Sequence, residues 1–170
     1  TDIAIAPLLL LEGWEELSKD NIHTIEVVFD VLENSEILIK DDDNIFLMLA
    51  TSPFRKLETI KESLKILEKG ASSVIGIQKA SKGSNSYRTF KKGTDFLNLP
   101  DKNLLHIQSS DRDEYIVTGS IFASKYNNLV KYKSFHQPES KGIIVGDDEA
   151  IDINTELDFF IASSYANNFL

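Results

Sequence analysis

Between Asn44 and Gln78 the chain spells out a strand, a helix and a second strand, and this unit constrains the fold more than any other stretch. Ile45–Ala50 is an unbroken run of apolar and small residues that stops at Thr51-Ser52-Pro53-Phe54-Arg55. A strand apolar on both sides is one covered on both faces, as in the middle of a parallel α/β sheet. An amphipathic segment follows, with Leu57, Ile60, Leu64 and Leu67 on one side and Glu58, Lys61, Glu62, Lys65 and Glu68 on the other. Gly70 is its expected stop. Ser73–Gln78 reads as the next strand, which closes a βαβ unit of ordinary length and sets the class as α/β.

The junction at 51–55 is where chemistry is expected. Ligands of open α/β sheets sit beyond the carboxyl ends of the strands. Ser52 reads as an N-cap, and Pro53 suits a first helical turn, where its missing N–H is no loss. Thr51, Ser52 and Arg55 then stand where hydroxyls, free helix N–H groups and a guanidinium can meet an anion. The same residues also make an ordinary capped strand-to-helix turn.

The rest of the chain fits one domain of 170 residues. Asp20 is placed to cap a helix running to about Asn34, with Ile22, Ile25, Phe29 and Leu32 on its buried side. The acids at Asp41-Asp42-Asp43 mark the turn into the first buried strand. Residues 79–114 are polar, with short extended pieces at Tyr87–Phe90 and Leu104–Gln108, and read as a loop or small β-arm over the sheet. Tyr115–Ser124 is a strand with Gly119 inside it, a sign of close backbone approach by a ligand or another element. Lys125–Tyr132 is a short helix and Gly142–Val145 the last strand. A final helix starts near Thr155, with Leu157, Phe160, Ile161 and Ser164 on one face.

Charge and composition narrow the function classes. A net charge of -9 argues against nucleic acid, whose binders offer phosphates a basic face. An anionic substrate must therefore be met by local basic groups or a metal; Arg88, with Lys79 and Lys82 nearby, is one such cluster. Absence of cysteine rules out disulfides, thiolate metal sites and cysteine nucleophiles, and fits a cytoplasmic location. No window is apolar enough for a membrane helix, and Leu8–Leu11 is too short and lacks the basic flank of a signal peptide. No dinucleotide fingerprint, P-loop, nucleophile elbow or HExxH spacing occurs. In Ala150–Ala162, Asp152 and Asn154 alternate with Ile151 and Ile153, so an extended backbone points both oxygen-bearing side chains to one side. Such a pair can hold Mg²⁺ together with substrate phosphates. Alternatively, Asn154 or Thr155 caps the last helix, with Glu156 and Asp158 favourable to its positive end.

In this order, these stretches resemble the acylneuraminate cytidylyltransferase (CMP-sialic acid synthetase) family, which includes enzymes for pseudaminic and legionaminic acids. The likeness covers nearly the whole chain. It rests on the helix region ELSKDNIHTIEVVFDVL, on Leu49-Ala50-Thr51-Ser52-Pro53-Phe54-Arg55 for the family's Gln-Pro-Thr-Ser-Pro-Leu-Arg-like motif, and on Tyr115…Thr118-Gly119-Ser120. The most specific element is Ile151–Phe159, which departs from the family's Ile-Asp-Ile-Asp-Thr-Glu-Leu-Asp-Phe-like motif only at Asn154.

The resemblance implies a three-layer Rossmann-like nucleotidyltransferase fold with a mostly parallel sheet and a small β-arm. It implies attack by the anomeric hydroxyl of a nine-carbon acidic sugar on the α-phosphorus of CTP, giving a CMP-sugar and pyrophosphate. By the same resemblance, Asp152 holds Mg²⁺ with Asn154 as a weaker ligand, Asp152 and Arg55 are catalytic, and Thr51 and Ser52 line the strand end. Arg88 meets the sugar carboxylate, Gly119 and Ser120 form part of the sugar-side wall, and residues 79–114 are a homodimerisation arm. The family's N-terminal glycine-rich nucleotide loop has no counterpart here, so a segment carrying it is expected upstream of Thr1, and residues 1–170 alone are expected to be weakly active at most. Leu49, Gln108 and Thr118 stand where the family has Gln, Arg and Asn, and an apolar leucine cannot replace an amide's hydrogen bonds. These departures and Asn154 keep open a second reading, a degenerate non-catalytic domain that binds a sugar nucleotide or a protein partner.

Overall fold

The computed structural model describes residues 23–34, 37–80, 91–92, 97–98 and 115–169. The element order is α1 (Thr24–Asn34), β1 (Asn44–Leu47), α2 (Leu57–Glu68), β2 (Ser73–Lys79), β3 (Lys91–Lys92), β4 (Leu97–Asn98), β5 (Tyr115–Lys125), α3 (Tyr126–Tyr132), β6 (Lys141–Ile144) and α4 (Glu156–Phe169). Arg88, Gln108, Asp20, Lys82 and most of the proposed arm lie outside the described residues. Within the arm region, β3 and β4 pair as an antiparallel two-stranded ribbon.

β1, β5, β2 and β6 form one sheet in that order. β5 is antiparallel to both β1 and β2, whereas β2 and β6 are parallel. β1, β2 and β6 therefore run one way and β5 runs against them, so the sheet is mixed. The β1–α2–β2 unit keeps its common strand direction, but its two strands are not neighbours. The gap between them is filled by β5, which arrives from much later in the chain. This long-range insertion leaves no mark in the local pattern of 44–78, which reports only that β1 and β2 are apolar.

The core lies where α2 covers the sheet. Leu67 of α2, Val74 of β2 and Ala123 of β5 are buried together, with Phe46, Ile66 and Ile143 packed against them. Ser63 and Leu67 are the buried residues of α2, while Leu57, read as inward, is exposed at the helix's first turn. The C-terminus of α2 stops as its glycine predicts. Gly70 takes φ +101°, and the N–H groups of Gly70 and Ala71 return to the carbonyls of Leu67 and Ile66.

α4 is turned differently from the expectation. Leu157, Phe160 and Ile161 are exposed, and the helix instead docks through buried Ala162 and half-buried Tyr165. The Tyr165 ring meets Phe54 edge-on at 4.9 Å between centroids, and its hydroxyl donates to Asp148 at 2.9 Å. A small residue and an aromatic with a hydrogen-bonding tip thus fix the rotation that a count of apolar residues had assigned to the other face. No helix among the described residues is long and apolar enough to cross a membrane.

Candidate active site

β1 ends at Leu47, and the chain turns sharply where the Ser52 N–H donates to the Leu49 carbonyl at 3.1 Å. Here the structure departs from the reading of Ser52 as a helix cap. α2 begins at Leu57 after the extended residue Lys56, which makes no side-chain cap. Ser52 is 1% exposed and directs its hydroxyl to Asp152 Oδ1 at 3.4 Å. The start of α2 is occupied by Glu149. Its Oε1 accepts the Lys56 N–H and its Oε2 accepts the Thr59 hydroxyl, both at 3.0 Å. The protein's own carboxylate thus fills a place where free helix N–H groups were expected to greet an anion.

Segments 51–55 and 151–154 are about a hundred residues apart in sequence and lie side by side. The Ile153 N–H donates to the Thr51 carbonyl at 2.8 Å, and the Ser52–Asp152 contact is the next link. Asn154 Nδ2 donates to Asp152 Oδ2 at 2.8 Å, so the two side chains do share a side. The Thr51 hydroxyl above all, then the Asn154 amide and the Ser52 hydroxyl, hold the Asp152 carboxyl below the usual carboxylate range. Partial burial and the nearby Asp158 oppose them without winning. Asp152 is therefore an ionised carboxylate at neutral pH.

The helix cap in this motif goes to Thr155. Its hydroxyl accepts the Asp158 N–H at 3.2 Å, while Asp158 Oδ2 accepts the Thr155 N–H at 2.8 Å, a reciprocal capping box. A shallow groove of about 550 Å³ opens beside Asp152 and is lined by Ile153, Asn154, Thr155, Glu156 and Phe159.

β5 reaches this place through a bulge. Two steps along β2, from Ile75 to Ile77, correspond to five along β5, from Phe122 to Val117. The surplus residues fold over Gly76, whose absent Cβ would lie 2.6 Å from Ser120 Oγ and 2.8 Å from Thr118 Oγ1. The Thr118 and Ser120 hydroxyls bond each other at 2.7 Å, both buried. Ser120 thus turns its side chain inward and away from the open face. A Cβ on Gly119 would lie 2.7 Å from Ser52 Oγ, 3.2 Å from Leu49 Cδ1 and 3.6 Å from Asp152 Oδ1. What approaches the backbone at this glycine is the loop after β1.

Arg55 joins the two strands where their ladder ends. Its Nε donates to the Ser120 carbonyl at 2.7 Å and its Nη2 to the Leu49 carbonyl. A bulge and a strand terminus both leave carbonyls without ladder partners; the guanidinium supplies a donor to the Ser120 carbonyl and a second one to that of Leu49, which also accepts the Ser52 N–H. Burial pushes the Arg55 pKa down without approaching neutrality. Two of five N–H donors are engaged, and the others have no protein acceptor among the described residues.

Among the described residues, no group of three or more His, Cys, Asp or Glu could hold a metal ion. The chemistry of the donors present, one ionised carboxylate beside one amide, fits Mg²⁺ only where substrate phosphates and water complete its shell.

Sequence reasoning missed the acidic turn after β6, Asp147-Asp148-Glu149. Asp147 accepts from Gln78 at 2.7 Å, and Asp148 pairs with Lys56 Nζ at 2.7 Å. The available signal was a glycine, Gly146, followed by three acids directly upstream of Asp152. The Lys56 ammonium first, then the Tyr165 hydroxyl and the Glu149 N–H, hold the Asp148 carboxyl below its ordinary 3.8. A depressed folded-state pKa gives stability that is present above the unfolded value and fades as pH falls through the folded one. The stability gap between the wild type and Asp148→Asn, measured by urea unfolding, is therefore expected to close as the pH drops below about 4. A gap that stays constant with pH refutes the charged pairing.

Against characterised proteins, the chain is 27% identical over 146 residues to CMP-N,N'-diacetyllegionaminic acid synthase of Legionella pneumophila subsp. pneumophila, strain Philadelphia 1. The aligned stretch covers 85% of this chain and 63% of that protein, so the chain spans less than two thirds of the relative's length. No protein-family model matches. The likeness supports a CMP-sialic acid synthetase-like family for this chain.

Proposed function

We propose that this chain, within its full-length protein, is a cytidylyltransferase that forms a CMP-activated nine-carbon acidic sugar and pyrophosphate from CTP. The observation that carries this reading is the pairing of Thr51-Ser52 with Asp152-Ile153 at the end of β1. Two of the motifs on which the family likeness rests meet there, and the relative's name supplies the product class. The fold proposed is the three-layer Rossmann-like one, in a cytoplasmic homodimer joined through the 79–114 arm.

In this reading Asp152 holds Mg²⁺, with Asn154 alongside as the weaker ligand. Bound there, Mg²⁺ supplies neutralisation of charge on the phosphates, the chief requirement of phosphoryl transfer. Thr51 and Ser52 keep Asp152 ionised and aimed. Arg55 fixes the spacing of Leu49 and Ser120 and keeps a permanent positive charge at the strand end. Gly119 lets Ser52 and Asp152 close against β5, with Ser120 behind it as part of the wall. Arg88 is assigned to the sugar carboxylate.

The test is pyrophosphate release by the full-length protein given CTP, Mg²⁺ and an acidic nine-carbon sugar. Release that requires all three is expected; none, or release indifferent to the sugar, overturns the proposal. One observation favours the second reading, a non-catalytic binding domain. Leu49 places an apolar side chain against Gly119 and the Ser52–Asp152 contact, where the resemblance calls for an amide.

A further inference from the structure

We propose that Glu149 is a positioning residue for this site, holding the 51–55 loop in register against the segment that carries Asp152. The proposal rests on the reading of Asp152 given above. Glu149 is 4% exposed, and both its oxygens are engaged by the start of α2, at the Lys56 N–H and the Thr59 hydroxyl. A carboxylate buried this fully is strongly destabilising unless such donors are present, so the contact is not easily exchanged for water.

Its consequence lies in where the two linked segments go next. Residues 51–56 and 149–153 run alongside each other and are tied at both ends. Glu149 grips Lys56 and Thr59 at one end, and at the other Thr51 and Ser52 meet Ile153 and Asp152. Lys56 adds a second strap through Asp148, itself bonded to Tyr165 of α4. Gly146 leaves room for the Asp148 carboxylate, whose Oδ1 would lie 2.5 Å from a Cβ there. Asp152 is thus placed by contacts of its own and also by a clamp three residues upstream. Loosening the clamp frees the paired segments to slide, so the aim of Asp152 is lost before the fold is.

Amide hydrogen exchange separates this role from a general contribution to stability. In Glu149→Ala, exchange at the Ile153 N–H, which Glu149 does not touch, is expected to accelerate at least about tenfold more than at Val74 in the core. Glu149→Gln, which keeps an acceptor for the Lys56 N–H, is expected to restore Ile153 toward wild type. Equal acceleration at Ile153 and Val74 means a merely structural residue, and an unchanged Ile153 means a local helix cap; either overturns the proposal. Should Glu149→Ala not fold, Thr59→Val removes one donor to the carboxylate, and the same comparison of Ile153 with Val74 decides.

In the active full-length protein, Glu149→Ala should lower kcat about tenfold while leaving KM for CTP within about threefold. An unchanged kcat also overturns it. If the wild type releases no pyrophosphate, the functional reading fails by itself, and the exchange data still judge Glu149.

Discussion

Asp152→Ala is expected to reduce sugar-dependent pyrophosphate release by the full-length protein by about a hundredfold or more, the scale on which a preorganised electrostatic group acts. The reasoning is local. Asp152 is the carboxylate at which the strand-end loop and the closing motif meet, and three neighbouring side chains keep it charged. If Asp152 is the Mg²⁺ ligand proposed above, divalent-cation dependence should weaken together with turnover. Asp152→Asn is the sharper variant. It keeps one acceptor oxygen but no charge and sets an amide NH2 where a second acceptor stood, so it should be nearly as inactive and unfold somewhat more readily than wild type at neutral pH. Since the ordinary pKa of this carboxyl is already 3.8 and the site lowers it, protonation of Asp152 should not limit the rate at any pH above about 5. Full turnover in either variant would remove Asp152 from the chemistry.

The second large effect is on folding. Arg55→Met is expected to destabilise the domain by about 2–3 kcal/mol, read as a lower urea midpoint, because charge-assisted hydrogen bonds to two main-chain carbonyls are lost. The Leu49 carbonyl keeps the Ser52 N–H, but the Ser120 carbonyl at the bulge loses the Arg55 N–H from which it accepts. Arg55→Lys preserves charge but offers a single ammonium, which cannot span both carbonyls, so it should recover no more than about half of the loss. A Lys variant as stable as wild type would show that the bridge is dispensable. If Arg55→Lys loses turnover out of proportion to its stability, the guanidinium also acts on substrate.

Much of this was readable in the residues, and what was not has a common cause. The apolar strand of 45–50, α2 with its Gly70 stop, and the strands at 73 and 115 all declare themselves within ten or so residues. The family likeness assigned both Ser52 and Asp152 to the site, but nothing in the residues reports that the two side chains meet. Glu149 was invisible because its partners, Lys56 and Thr59, lie about ninety residues away, and nothing local distinguishes a buried capping carboxylate from a solvated one. The rotation of α4 was misjudged for the same reason. Periodicity counts Leu157, Phe160 and Ile161, but the docking was decided by Tyr165 meeting Phe54 and Asp148. The placement of β5 between β1 and β2 required a crossing that no window of sequence contains.

The bulge in β5 has a consequence for how its length can vary. On the Lys79 side of the irregularity the inward residues of β5 are even-numbered, Ile116, Thr118 and Ser120. Beyond it neither set faces solvent, with Ile121, Ala123 and Ser124 all buried. Five steps against two is a surplus of three residues, an odd number, so it exchanges which alternate side chains of β5 lie on a given face of the sheet. Deleting any single residue along Thr118–Ile121 puts one half of β5 out of phase with β2. Variation within this stretch is therefore confined to a change of side chains at fixed length.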